Sequence, residues 1–278
     1  IPPSNVMIVY SLASGGVSIA ALFIAGYVPG ILLGLALMIA AGAIAQKRKY
    51  PVGQWVAFGE AAAIFFSALP SLLLVILVMG GIILGWFTPT EASAIAVVYT
   101  FVLSVIVYRE IKWSELPRLL TDSAATTAIV LLLVGTSMGM SWVMSSANIP
   151  QTISATLLEL SSNPIVLLLI INLILLVVGT FMDMTPAVLI FTPIFLPVVK
   201  SFGMDPIHFG IVIIFNLCMG LCTPPVGTAL FVGCGVANTT IAKVWRPLIP
   251  FFAAMLIVLL LVTYVPALSL YLPKLLGF

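Results

Sequence analysis

Long apolar runs set the plan of this chain. Residues 28–46 form one such run, ending at Lys47-Arg48-Lys49, and residues 69–87 and 89–108 form two more. A transmembrane strand would alternate apolar and polar positions over about 10 residues. These runs do not alternate, and each is close to the roughly 20 residues that a spanning helix needs. A linker and a shorter amphipathic stretch containing Glu60 separate the first run from the second. Thr88-Pro-Thr-Glu91 opens the third, with Glu91 three residues after Thr88 as in a capping box and Pro89 at the first helical position. Residues 121–147 make a further span rich in Thr, Ser, Gly and Met, a composition suited to close helix packing or a cavity wall. Ile149 to Leu160 reads as a short amphipathic helix near the outer interface.

Two later segments are interrupted. Residues 164–178 are strongly apolar, stop at Gly179-Thr-Phe-Met-Asp183-Met-Thr185-Pro186, and give way to an apolar stretch at 187–199 ending at Lys200. Arms of about 15 residues are short for crossing a bilayer, so a re-entrant hairpin with a polar tip at membrane depth is expected. An apolar helix then runs from Pro206 to Gly220, breaks at Leu-Cys-Thr223-Pro224-Pro225-Val226-Gly227, and resumes to about Val236. Adjacent prolines remove two backbone donors and sterically oppose a continuous helix. A last span is expected at about 247–271.

Charge orients these elements. Eight of the ten Lys and Arg lie in three stretches: Lys47 to Lys49, Arg109 to Arg118, and Lys243 with Arg246. Counting crossings puts all three on one side, which the positive-inside rule makes cytoplasmic. Of the 278 residues 63% are hydrophobic and 6% charged, against roughly 25% charged in soluble domains; the chain is an all-α integral membrane protein. A net charge of +2 offers no face for nucleic acid. Cys218, Cys222 and Cys234 show no zinc-site spacing and read as packing residues. No nucleophile triad, carboxylate pair or phosphate loop is present, so the chain is not expected to be an enzyme or an ATP-driven pump.

A weak internal repeat appears at an offset of 222, aligning Pro2-Pro3 with Pro224-Pro225 and residues 17–23 with 239–245. Both copies then enter a span marked by proline, at Pro29 and Pro250, and the two spans finish on opposite sides. Inverted repeats with interrupted helices in corresponding places characterise secondary transporters. An unwound segment frees carbonyls that need a partner in a dry environment, and a Na⁺ ion held by backbone and hydroxyl oxygens supplies one. By symmetry the break at Pro2-Pro3 calls for another hairpin ahead of residue 1. With an opening of Ile-Pro-Pro-Ser, this makes the sequence an expected part of a longer polypeptide.

The segments IPPSNVMIVY, TPTEAS, GTFMDMTPAVLIFTPIFLPV, GMDPIHFGIVIIFNLCMGLCTPPVGTALFV and TTIAKVWRPLIPF resemble the large membrane subunit of the tripartite ATP-independent periplasmic (TRAP) transporters. The resemblance runs end to end and covers about the C-terminal two-thirds of such a subunit. It implies a Na⁺-coupled, elevator-type importer of an organic acid, such as sialic acid or a C4-dicarboxylate, in the bacterial inner membrane. Its implied partners are a periplasmic substrate-binding protein, a small four-helix membrane subunit and the N-terminal remainder of the same subunit. One Na⁺ site is then expected between the tip, Gly179 to Asp183, and the break, where Gly220, Thr223 and Val226 offer oxygens. Pro2, Pro3, Pro224, Pro225 and Gly227 would hold the breaks open, and Ser4, Asn5, Thr185 and Asn216 would adjoin the substrate. No transition metal or organic cofactor is expected.

On this reading residues 1–27 are the second half of a broken helix with a connecting arm, and 28–118 are scaffold-type spans with cytoplasmic basic loops. Residues 119–163 are a span and an amphipathic arm, 164–245 the hairpin and second broken helix, and 246–278 the final span. Residues 1–27 and 164–245 belong to the moving transport domain. Several roles stay open. Asp183, the one acid placed at depth, is either a functional ionisable group or the cap of the second hairpin arm. Thr223 is either a ligand or a polar residue satisfying the broken helix, and Asn216 bonds either the hairpin or another neighbouring helix. His208 is expected as a helix-start residue at the outer surface, while Met138, Met140, Met144 and Trp142 are expected to pack. A passive pore would need a continuous polar stripe, and a non-transporting scaffold would have no use for polar tips at depth.

Overall fold

The structure, a computed structural model, describes residues 2–278 apart from Val52, Gln54, Trp55, Ser162, Pro225 and Val226. The described residues form twelve α-helices. They are α1 (Asn5–Ala13), α2 (Ile19–Arg48), α3 (Phe58–Ile83), α4 (Pro89–Phe101), α5 (Leu116–Ser146) and α6 (Ile149–Leu160). After these come α7 (Pro164–Phe181), α8 (Met184–Ser201), α9 (Pro206–Gly220), α10 (Thr228–Val236), α11 (Ile241–Tyr264) and α12 (Ala267–Leu275). Seven helical segments among the described residues are long and apolar enough to cross a membrane. The chain divides into two compact units, Ile1–Arg48 with Leu133–Phe278, and Lys49–Leu132.

The larger unit is built around α9. Residues His208 to Ile214 of this helix are all buried, as expected for a helix that is apolar on every face. α7, α8, α2, α11, α12 and α1 all pack on it. Its N-terminus is fixed twice. Asp205 caps it by accepting the Ile207 N–H at 2.7 Å, and the buried Tyr10 of α1 donates its hydroxyl to the Pro206 carbonyl at 2.6 Å. Gly210 lies under the Tyr10 ring, where an added Cβ would come within 2.5 Å of Cε1.

In the smaller unit α3 packs on α4, and Tyr99 donates its hydroxyl to the Pro70 carbonyl at 2.6 Å. The capping box expected at Thr88 is present: Thr88 N–H donates to Glu91 Oε2 at 2.8 Å and Glu91 N–H to Thr88 Oγ1 at 3.3 Å. α4 continues as a π-helix over Val102–Val107.

The break after Gly220, the resumption at Thr228 and the short helix Ile149–Leu160 fall where the sequence puts them. Other boundaries differ, because the helices run on through single prolines and past the ends of the most apolar runs. α2 begins nine residues before the expected span and carries Pro29 inside it; α3 absorbs the stretch around Glu60 and carries Pro70; α11 begins at Ile241 and carries Pro247 and Pro250. A single proline removes one helical hydrogen bond and bends the helix, without having to end it where neighbouring groups re-satisfy the backbone. The final span instead ends at Tyr264, with Pro266 leading into α12.

α5 also departs from expectation. Only Met144 is buried among its described side chains. Its hydroxyls turn back on their own helix: Thr121, Thr126 and Thr127 donate to carbonyls four residues earlier at 2.8–2.9 Å. An added Cβ on Gly135 or Gly139 would meet nothing within 4 Å.

The repeat has a structural counterpart. α1 and α10 each have 9 residues, and α2 and α11 begin at Ile19 and Ile241, the same 222 positions apart as the sequence match. Tyr10→Phe is expected to destabilise the protein by about 1 kcal/mol by leaving the Pro206 carbonyl without its donor. A lowered melting temperature in detergent, with no change for the exposed Tyr271→Phe, is the outcome that supports this tie.

Candidate functional site

Two helix C-termini converge where the sequence places the hairpin tip and the break. Gly179, in the last turn of α7, lies against Gly220, the last residue of α9. A Cβ built on Gly220 would sit 2.6 Å from the Gly179 Cα and carbonyl carbon, and one on Gly179 would sit 3.1 Å from the Gly220 Cα. A side chain at Gly220 would force the backbones apart, and one at Gly179 would be tightly crowded. The loop of the break is fastened to the tip as well, because Gly227 N–H donates to the Thr180 carbonyl at 3.1 Å. Gly227 has φ +38°, and a Cβ there would meet the Thr223 carbonyl oxygen at 2.7 Å. The turn folds back so that the Leu221 carbonyl accepts Ala229 N–H at 3.2 Å.

This convergence concentrates negative potential. The last four carbonyls of a helix lack intrahelical donors, and the aligned peptide dipoles give that end about half a negative charge. Some are used locally: Val178 accepts Met182 N–H, Leu217 accepts Leu221 N–H, and Gly220 accepts Thr223 N–H. Met219 accepts both Cys222 N–H and the Thr223 hydroxyl, the latter at 2.8 Å. Among the described residues, no hydrogen bond reaches the carbonyls of Gly179, Phe181 or Thr223. Thr223 spends its proton on Met219, which leaves its oxygen lone pairs free to meet a cation. Pro225 and Val226 lie outside the described residues.

Asp183 accepts the Thr185 N–H at 3.2 Å and is the N-cap of α8, with an exposed side chain. Of its two roles the capping one is observed, and Thr185 takes part through its main chain. Thr180, whose carbonyl holds the break loop, was not singled out in the sequence. At the first break Pro2 is buried, and its Cγ lies 3.2 Å from a Cβ built on Gly26. Pro3 is exposed. Ser4 is the N-cap of α1 without a side-chain hydrogen bond, and Asn5 is exposed. No hydrogen bond joins Ser4 or Asn5 to the tip or the second break among the described residues.

Asn216 reaches the hairpin. Its side-chain amide donates to Asn172 Oδ1 at 2.8 Å and to the Asn172 carbonyl at 2.9 Å. Asn172 was overlooked in the sequence, although a single Asn inside the apolar arm PIVLLLIINLILLVVGTF was a readable signal. His208 does lie in the first turn of α9, but it is 1% exposed rather than at the surface, with Nε2 3.2 Å from the Thr263 carbonyl. The described residues contain no grouping of His, Cys, Asp or Glu that could hold a transition metal.

Seven candidate spans, α7 and α8 among them, and a broken helix that meets α7 through backbone define an all-α, multi-pass integral membrane protein. The chain belongs to the family described as "Tripartite ATP-independent periplasmic transporter, DctM component", whose model matches residues 1–268. It is 58% identical over 99% of its length to an uncharacterised protein YgiK of Salmonella typhimurium, covering 63% of that relative. It is 42% identical over its full length to the C4-dicarboxylate TRAP transporter large permease protein DctM of Pseudomonas aeruginosa, covering 65% of it. It is 37% identical over 99% of its length to the sialic acid TRAP transporter large permease protein SiaM of Vibrio cholerae, covering 64% of it. The chain thus spans a little under two thirds of these relatives, and it is a multi-pass protein of the bacterial inner membrane.

Gly220→Ala is expected to lower stability by about 1–3 kcal/mol, the cost of overpacking, because the clash is with backbone that cannot rotate away. Gly233→Ala, where an added Cβ meets nothing within 4 Å, is the control. Equal melting temperatures for the two variants would contradict the close approach of tip and break.

Proposed function

We propose that this chain is the cation-coupling part of a Na⁺-driven importer of an organic acid. The observation that carries the reading is the convergence of the C-termini of α7 and α9 through Gly179 and Gly220, beside carbonyls that accept no hydrogen bond among the described residues. Hard cations take oxygen ligands, and half-helix C-termini with unwound carbonyls coordinate Na⁺ in transporters built this way. Gly179, Gly220, Thr223 and Val226 are the proposed ligand positions, with Asp183 adding negative charge at the tip. Bound Na⁺ would link tip to break and supply the partner that these carbonyls lack in a dry environment.

The substrate is a carboxylate, as it is for the relatives named for C4-dicarboxylate and sialic acid. A cation beside the site attracts a carboxylate, and by linkage the carboxylate raises cation affinity by the same factor. The N-terminus of α10, which has no side-chain cap, adds a positive helix end nearby. Ser4, Asn5 and Thr185 are the neighbouring positions proposed to face the substrate. The first break would pair with a hairpin in the N-terminal remainder of the subunit, completing a second cation site. The substrate arrives on a periplasmic binding protein, a small four-helix subunit braces the complex, and an elevator movement of residues 1–27 and 164–245 carries the site across the bilayer.

The test is uptake into proteoliposomes by the full-length subunit with its small subunit and binding protein. Uptake should require an inward Na⁺ gradient and the binding protein together; uptake without either would overturn the coupled mechanism. Thr223→Val, which removes one oxygen and keeps the shape, should raise the Na⁺ concentration for half-maximal uptake about threefold to tenfold, as loss of roughly 1 kcal/mol predicts. An unchanged Na⁺ activation curve would remove Thr223 from the ligand set.

A further inference from the structure

Below the Gly179–Gly220 contact, a buried polar chain runs across three helices. Asn216 of α9 donates to Asn172 of α7; Asn172 donates to Thr263 Oγ1 of α11 at 3.1 Å; Thr263 donates to the Leu259 carbonyl at 2.8 Å. His208, two turns earlier on α9, meets the Thr263 carbonyl from the other side. Asn172, Asn216, Thr263 and His208 are all at most 4% exposed. Every link runs donor to acceptor in one direction, so the chain has one consistent arrangement.

Its position gives it a use. Asn216 precedes Gly220 by four residues and Asn172 precedes Gly179 by seven, one and two helical turns, so each pair shares a face of its helix. The Asn172–Asn216 bond and the Gly179–Gly220 contact therefore lie on a single α7–α9 interface. A glycine–glycine contact fixes separation and leaves sliding and rotation free, since it has no side chains to interlock. Two side-chain amides bonded to each other resist both motions. Interhelical polar bonds are also costly to place in a membrane protein, because any group left over remains unsatisfied. That cost is visible here: Asn216 Oδ1 and His208 Nδ1 have no partner among the described residues. The α2–α11 groove, by contrast, is lined by Ala36, Ala40, Ala43, Ala253 and Ala254 with other apolar groups and Lys47.

We propose that the Asn216–Asn172–Thr263 chain is a positioning network that sets the register of the hairpin arm on the broken helix and so holds the terminal carbonyls in cation-binding geometry. The proposal rests on the cation reading of the tip and break. The three residues act through the backbone they align and do not touch the ion. Thr263 extends the lock to α11, so that three helices must move together if the register slips.

Na⁺ alone is the probe. Thermal stabilisation of the full-length detergent-solubilised protein is titrated with NaCl at constant ionic strength against choline chloride. Asn172→Leu and Asn216→Leu should each raise the half-saturating Na⁺ concentration about threefold to tenfold, the range that interhelical polar bonds of this kind support. The double variant should be no worse than Asn172→Leu alone, since both single variants remove the Asn172–Asn216 bond. A lower melting temperature in choline with an unchanged Na⁺ half-saturation would overturn the proposal, as a merely structural role predicts that pattern. Additive shifts would overturn it too. Thr263→Val, which loses one hydroxyl at the far end, carries the test if the Asn variants do not fold: about a twofold shift supports the network, and no shift refutes it. Wild-type protein with no stabilisation by Na⁺ over choline would defeat the cation reading itself, and this proposal with it.

Discussion

In hydrocarbon every peptide group must find a partner, and the arrangement of this protein follows from breaking that rule locally and repairing it nearby. A continuous helix satisfies itself. The helix ends at Phe181 and Gly220 do not, and the repairs are specific: Gly227 N–H is given to Thr180, Ala229 N–H to Leu221, Thr185 N–H to Asp183. After these repairs the carbonyls of Gly179, Phe181 and Thr223 still accept no hydrogen bond among the described residues. Two prolines in the break add carbonyls and no N–H groups, so the local balance is tilted toward unpaired oxygen. A cation is the partner that such a balance favours, and the converging C-terminal dipoles of α7 and α9 strengthen the same preference.

The rest of the larger unit serves to keep those ends together. α9 is apolar on all sides and buried, a central post on which six other helices pack. Its start is fixed by Tyr10 and Asp205, and its end by Gly220 against Gly179. Polar side chains are used sparingly between these anchors, at Asn172, Asn216, Thr263 and His208. Stability of the unit and geometry of the site are therefore carried by the same helix, so a change at the site is felt as a change in packing.

What could be read from the sequence was what backbone chemistry decides locally. The Pro224-Pro225 break, the Thr88 and Pro206 starts and the Asp183 cap each follow from a residue acting on its immediate neighbours. So did the repeat, although its few identities understated a correspondence that places the starts of α2 and α11 at the same spacing. Helix ends were harder to read, because Pro29, Pro70 and Pro250 sit inside helices that run past the most apolar stretches. Long-range pairing was the larger loss. Nothing in the chain's local pattern says that Asn172 faces Asn216, that His208 is sealed beneath Thr263, or that Gly179 and Gly220 touch. Glycine at a helix end reads first as a terminator, and its second use, letting two backbones meet, depends on a partner forty residues away in the chain.

The central claim is that tip and break enclose a Na⁺ ion. The most direct measurement is a structure of the full-length subunit determined once in NaCl and once in choline chloride. The account predicts a spherical density among the oxygens of residues 179–183 and 220–226, present in Na⁺ and absent in choline. Identical maps at this position in the two salts, in a protein that still transports with a Na⁺ gradient, would place the coupling ion elsewhere and contradict it.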